Sequence, residues 1–204
     1  MIYFSSDHHF SHENIIRYCQ RPFADAEEMA YELTQRWNNK VGKEDVVYYA
    51  GDLTLEGIDV ARSILQGLNG HIRMLHNGSH HDKRWLPATL GWEVPYWTAS
   101  GPVAFLGQIV TLDLADRFTP GIRLPRIVFS HFKLDVWENK HHGSWHLYGH
   151  THMQNPFFEP FHRGWCLNIG VDAWDYAPVS VVEVAEVMID HGYGESREWV
   201  NDEV

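Results

Sequence analysis

Five short stretches of the chain concentrate imidazole and carboxylate groups. They are Asp7-His8-His9, Gly51-Asp52, Gly78-Ser79-His80-His81-Asp82, Ser130-His131 and Gly149-His150-Thr151-His152. Imidazole and carboxylate oxygen together suit Mn, Fe, Zn or Ni better than Ca or Mg. If extended backbone continues through them, side-chain alternation points Asp7 and His9 the same way, and His150 and His152 likewise. Each pair can then grip one ion or two adjacent ions, while His8 and Thr151 face elsewhere. Asp52, directly after a glycine, can enter a tight turn with both carboxylate oxygens free. Two divalent ions about 3.5–4 Å apart and bridged by a carboxylate can clamp a phosphoryl group and hold hydroxide for in-line attack. Two such ions bring four positive charges, Asp7 and Asp52 remove two, and a bridging hydroxide removes one. About one positive charge remains to draw a phosphate into an otherwise acidic protein.

Taken singly, the clusters have plainer explanations. Gly51-Asp52 reads as a turn, His131 as a hydrogen-bonded core histidine and Gly149-His150-Thr151-His152 as a surface loop. What favours a site is that residue type, order and placement coincide in all of them.

The placement follows from the elements. Apolar and β-branched runs predict strands at Ile2–Ser5, Val46–Ala50, Ile72–Leu75, Ile127–Phe129 and Trp145–Tyr148, each running into one of the polar clusters. Residues 26–39 place Met29, Leu33 and Trp37 at helical spacing behind acidic first-turn residues, and 56–68 repeat the pattern with Ile58, Ala61, Ile64, Leu65 and Leu68. Strand alternating with helix implies an α/β fold with crossover connections. The stretch 92–114 predicts added short strands, and Cys166 onward predicts two more strands and a short helix. Ligands of open α/β sheets bind at the carboxyl ends of strands, so clusters far apart in sequence converge there.

The chain of 204 residues, 44% hydrophobic and 14% aromatic, suits a single domain over 1–204, with an acidic tail at about 195–204. Sixteen Lys and Arg against 27 Asp and Glu give a formal charge of −11, which argues against an extended nucleic-acid partner. Cys19 and Cys166 form no disulfide framework. The opening MIYFSSDHHF has no basic start, and no apolar run reaches membrane-spanning length, so the expectation is a cytoplasmic protein without membrane contact. Nine tryptophans and nine tyrosines could supply a dimer surface as easily as a core, leaving monomer and homodimer both open.

The five motifs in this order resemble the calcineurin-like metallophosphoesterase family, whose pattern reads Asp-x-His, Gly-Asp, Gly-Asn-His-Asp, a single His, then Gly-His-x-His. The stretches SSDHHFSHENII, VVYYAGDLT and LNIGVDAWDYAPVS look like its small single-domain bacterial and phage branch, and the resemblance runs from Met1 to about Val184. The resemblance implies a four-layer αββα sandwich, two central mixed β-sheets flanked by helices. It also implies a dinuclear centre, with Mn²⁺ ahead of Fe, Zn or Ni. By matched position Asp7, His9 and His152 would hold one ion, His131 and His150 the other, and Asp52 would bridge. A histidine of the third motif would stabilise the transition state or protonate the leaving oxygen.

The third motif departs from the pattern. A gapless frame puts Ser79 in the Asn slot, His80 in the catalytic slot and His81 in place of the Asp. A slipped frame keeps His81-Asp82 as the family's pair and makes His80 a substitute ligand. The gapless frame needs no insertion in a tight loop and is favoured. It makes His80 the residue whose loss abolishes turnover, and His81 one whose loss alters metal affinity or substrate handling. His12, His142 and His146 are secondary candidates for phosphate contact, with a solvated or structural role favoured for each. Arg84, Trp85 and Trp97 are placed at the mouth.

The resulting expectation is a metal-dependent phosphoesterase acting on a small phosphate ester, a phosphodiester or small nucleotide ahead of a monoester. The alternative is a non-catalytic metal-binding module whose altered third motif weakens the second ion. No HExxH helix, GxSxG elbow or GxxxxGK[ST] loop points to another hydrolase class.

Overall fold

Alternation in the first strand, β1 (Ile2–Ser5), sends Ile2 and Phe4 to one face, where both are fully buried. The structure is a computed structural model that describes residues 1–76, 81–86, 96–114, 124–157 and 165–192. His80 and its neighbours Gly78 and Ser79, His162 and the acidic tail lie outside the described residues. After β1 come α1 (Glu13–Tyr18), α2 (Ala26–Lys40), β2 (Val46–Tyr49), α3 (Ile58–Gln66) and β3 (His71–Leu75). Then follow the short strands β4 (Trp97–Thr98), β5 (Gly101–Pro102), β6 (Ala104–Leu106) and β7 (Ile109–Leu112). The chain continues through β8 (Ile127–Ser130), β9 (Trp145–Tyr148), β10 (Cys166–Asn168), β11 (Val179–Ser180) and α4 (Val181–Asp190).

The architecture is α/β, with two mixed sheets. One has the order β11-β1-β2-β3-β6, parallel except for β11. The other has the order β10-β9-β8-β7, parallel except for β7. Between the sheets, Ile2, Phe4, Val46, Tyr48 and Leu75 meet Ile127, Phe129, Leu147 and Leu167 in one apolar cluster, with Phe4 and Phe129 ring centroids 5.8 Å apart. Each side chain fully buried there contributes roughly 1.5–3 kcal/mol. The opposite face of the first sheet, through Val47, Tyr49, Ile72 and Met74, is covered by Met29, Leu33 and Trp37 of α2 and by Ala61 and Leu65 of α3. β2 is buried on both faces, which is why it reads as a continuous apolar run.

Local signals fix the helix ends. The Asp25 carboxylate accepts from the Glu27 and Glu28 backbone N–H groups, capping α2. A reciprocal Ser180–Glu183 capping box starts α4, whose Val181, Val184, Ala185 and Met188 join the core between the sheets. The helix expected over 56–68 is α3, which begins only after Gly57. α1 was not anticipated; of its six residues only Ile15 is buried, too few for a periodic signal. On the outer face of the second sheet, Val128, Tyr148 and Cys166 are covered by Trp137 and Leu134 from the loop between β8 and β9. Among the described residues no helix is long and apolar enough to cross a membrane.

Candidate metal centre

The first sheet delivers Asp7 and His9 beyond β1 and Asp52 beyond β2; the second delivers His131 beyond β8 and His150 and His152 beyond β9. All six converge. The ligand-type atoms of Asp7, His9 and His152 lie within 4.8 Å of one another, and so do those of Asp52, His131 and His150. Asp52 Oδ2 stands between the two triads, 3.6 Å from His9 Nε2 and 3.5 Å from His131 Nε2.

The reason these side chains face one another is not the one alternation supplied. β1 ends at Ser5, and the backbone then turns left-handed at Asp7 (φ 63°) and His9 (φ 53°). Asp52 (φ 59°), His150 (φ 73°) and His152 (φ 53°) share that conformation. Non-glycine residues rarely adopt it, and each costs on the order of 1–3 kcal/mol unless its surroundings enforce it. His150 and His152 enter different triads, the two-ion option that their spacing left open.

Backbone bonds enforce the turns. The Asp7 N–H donates to Gly51 O (3.0 Å), His9 N–H to Asp52 O (3.0 Å) and Phe10 N–H to Leu53 O (2.8 Å), zipping the first two motifs together. The His150 N–H donates to Asp7 Oδ2 (2.8 Å), tying the last motif to the first. A Cβ on Gly149 would collide with Ser6 Oγ and Asp7 Oδ2, so this close approach requires glycine.

Asp82, already present in the third motif, and two residues the sequence did not signal, Asp172 and Arg21, hold this frame. Asp82, fully buried, accepts from the backbone N–H groups of Asp52 (2.7 Å), Leu53 (2.9 Å) and Thr54 (3.2 Å) and from Trp85 Nε1 (3.0 Å). Asp172 accepts from His152 Nδ1 (2.9 Å) and from Arg21. Asp172 stands beyond β10, a sixth strand end of the same kind as the five that were counted. Arg21 gave no such signal.

Burial pushes Asp7 upward from the ordinary carboxylate range. Burial, then the Asp7 and Asp82 carboxylates, push Asp52 up to about 8. Burial also raises Asp82 to about 7 against its hydrogen bonds. Burial, then neighbouring His152, Arg21, His81 and His12, hold His9 well below the imidazole range. Burial opposes protonation of His152, yet bonds to Asp172 and Cys19 and the Asp7 carboxylate bring it up to about 10. Among the described residues, Asp7 Oδ1 and both ring nitrogens of His9 are buried without a hydrogen-bond partner. Buried polar atoms are nearly always satisfied, and an orphan costs about 1–3 kcal/mol. Crowded carboxylates across two adjoining triads, with orphaned ligand atoms on Asp7 and His9, fit a pair of divalent cations, which would satisfy both.

Of the two catalytic candidates, His81 is in the site. Its Nε2 lies 3.8 Å from Asp52 Oδ2, its ring is 4.7 Å from that of His9, and its backbone N–H faces the Asp52 carboxylate. His80 falls outside the described residues. His12 borders the site, its ring 5.6 Å from His9 and 6.1 Å from His81. His146 is buried in β9, accepting from the Leu134 N–H (2.9 Å) with Nδ1 at 3.1 Å from Val128 O, which makes it structural. His142 is exposed in the loop before β9. Trp85 is buried on Asp82 and Arg84 is exposed, bonding Leu55 O at 3.4 Å; Trp97 is exposed on β4.

The chain is 30% identical over 192 residues to the uncharacterized protein MJ1445 of Methanocaldococcus jannaschii, spanning 88% of this chain and 86% of that protein. It is 26% identical over 188 residues to the Gene 66 protein of Mycobacterium phage L5, spanning 84% and 86%. The crystal structure of AQ665 from Aquifex aeolicus, a protein of unknown function, shares its fold: TM-score 0.59 at 20% identity, across 92% of this chain and 98% of that one. No protein-family profile matches the chain.

Proposed function

We propose that this chain, which belongs to the family of the uncharacterized protein MJ1445, is a dinuclear-metal-dependent phosphoesterase of the calcineurin-like kind. One observation carries the reading: Asp7, His9 and His152 adjoin Asp52, His131 and His150 across a single carboxylate oxygen, Asp52 Oδ2. Two ions held there would supply Lewis acidity for a phosphoryl group and an activated water for in-line attack. Mn²⁺ is the metal proposed, with Fe, Zn and Ni chemically compatible. The four-layer αββα arrangement belongs to the same reading, supported by the α2–α3 layer and the two facing sheets.

His81 is the proposed proton donor to the leaving oxygen. Its ring borders Asp52 and His9, and Asp82 beside it braces the Asp52 loop, as suits the slipped frame in which His81-Asp82 takes the place of the family's His-Asp pair. His80 then becomes a candidate ligand. The substrate class is a phosphodiester or small nucleotide.

A specific feature favours a second reading. Gly78-Ser79-His80-His81 lacks the asparagine ligand, and a weakened second ion would leave a binding module without turnover. The purified chain with added Mn²⁺ should hydrolyse bis(p-nitrophenyl) phosphate and lose that activity on chelation. Full metal loading without turnover of any phosphomonoester or diester would establish the binding module instead.

A further inference from the structure

We propose that Arg21 and Asp172 are positioning residues that preorganise one half of the metal centre, the Asp7–His9–His152 triad. The inference rests on the metal-centre part of the reading above and not on phosphoester hydrolysis.

Arg21 is 4% exposed. Its guanidinium donates from Nε to Asp172 Oδ1 (2.8 Å) and from Nη2 to Asp172 Oδ2 (2.8 Å), a two-pronged bond that fixes the carboxylate plane. The same cation donates from Nη2 to Asp7 O and from Nη1 to His8 O, both at 2.7 Å. Asp172 Oδ2 in turn faces His152 Nδ1 at 2.9 Å. One buried side chain therefore secures two of the three ligands: Asp7 through the backbone of its left-handed turn, and His152 through a carboxylate. With Nδ1–H committed to Asp172, His152 keeps Nε2 for the triad. A carboxylate behind a ligand imidazole fixes its tautomer and raises its basicity.

A rival reading is a third cation site, because Cys19, His152 and Asp172 also lie within 4.8 Å of one another. The guanidinium settles the choice. Both Asp172 oxygens already serve Arg21, and a metal ion there would meet a fixed positive charge at contact distance. The second triad is braced differently, by Asp82 on the Asp52 backbone. The two halves of the centre are therefore unequal, and loss of the brace should weaken one of them.

The test is a Zn²⁺ titration of the full-length chain followed by imidazole ¹⁵N–¹H correlations. His9 and His152 report the first triad; His131 and His150 report the second. In Asp172→Asn the Zn²⁺ needed to half-saturate the first triad should rise about 10–100-fold, the range for losing an outer-sphere partner, with the second triad changing less than about 3-fold. Arg21→Lys, which keeps the charge but not the fork, should do the same more weakly. Equal shifts at both triads, or none at the first, would overturn the proposal. Independently of any variant, the Zn²⁺-loaded wild-type chain should show His152 protonated at Nδ1; the opposite tautomer would also overturn it. Imidazole signals indifferent to Zn²⁺ would remove the metal centre and the brace together. Selective weakening of the first triad in Asp172→Asn, without hydrolysis of any phosphate ester by the wild type, would sink the phosphoesterase reading and leave the brace standing.

Discussion

Asp52 and His131 come from different sheets and place Oδ2 and Nε2 3.5 Å apart. Neither sheet alone supplies a complete site, so packing of the Phe4–Phe129 core between them sets the spacing of the two triads. Asp52→Asn keeps the shape and removes the charge that bridges the triads. Phosphodiester turnover should fall roughly 100-fold or more, since even outer-sphere losses at metal sites reach that scale. Steady-state rates at saturating Mn²⁺ check this; near-wild-type activity would mean Asp52 bridges nothing.

His81 and His80 separate by the parameter they change. A general acid contributes about 10²–10⁴ in rate, so His81→Ala should lower kcat on that scale while the Mn²⁺ requirement stays close to wild type. His80→Ala should mainly raise the Mn²⁺ concentration needed for half-maximal activity. The reverse pattern would restore the gapless frame, with His80 as the acid.

Gly149 is the point where the last motif passes over Asp7. Gly149→Ala would drive a methyl group into Ser6 Oγ and Asp7 Oδ2, and the loop must move. Overpacking of this kind costs about 1–3 kcal/mol. The expected outcome is a lower urea midpoint together with weaker metal binding, measured on the same preparation.

His146 gives the fold an acid-sensitive element away from the ligands. Burial, against the Val128 bond, brings its imidazole down from 6.5 to about 4. The folded value lies below the unfolded one, so the neutral form is favoured in the fold. Its stabilisation is complete above pH 6.5 and is lost as pH falls toward 4, by roughly 3 kcal/mol at the limit. Urea titrations of the metal-free chain at pH 7 and pH 4.5 should show a smaller acid loss in His146→Gln than in the wild type.

Much of the candidate site is legible in the sequence because its residues share one position, the end of an apolar run. That rule picks out Asp7, His9, Asp52, His131, His150 and His152, which the fold brings together in two adjoining groups. It failed on conformation: alternation requires extended backbone, and five of these six residues turn left-handed instead. It also passed over Asp172, which follows β10 as Asp7 follows β1 and Asp52 follows β2. Arg21 carries no periodic or motif signal at all; its role exists only where the chain folds back on Asp7 and Asp172. In the third motif, spacing alone favoured His80. The burial of Asp82 beneath the Asp52 loop and the place of His81 beside Asp52 and His9 are what the proposal of the slipped frame rests on.

In the proposed centre two cations share this site across Asp52. Crystals of the chain soaked in Mn²⁺ and measured for anomalous scattering address it most directly. Two peaks are predicted, one among Asp7, His9 and His152 and the other among Asp52, His131 and His150, with Asp52 reaching both. A single peak, or none at saturating Mn²⁺, would contradict it.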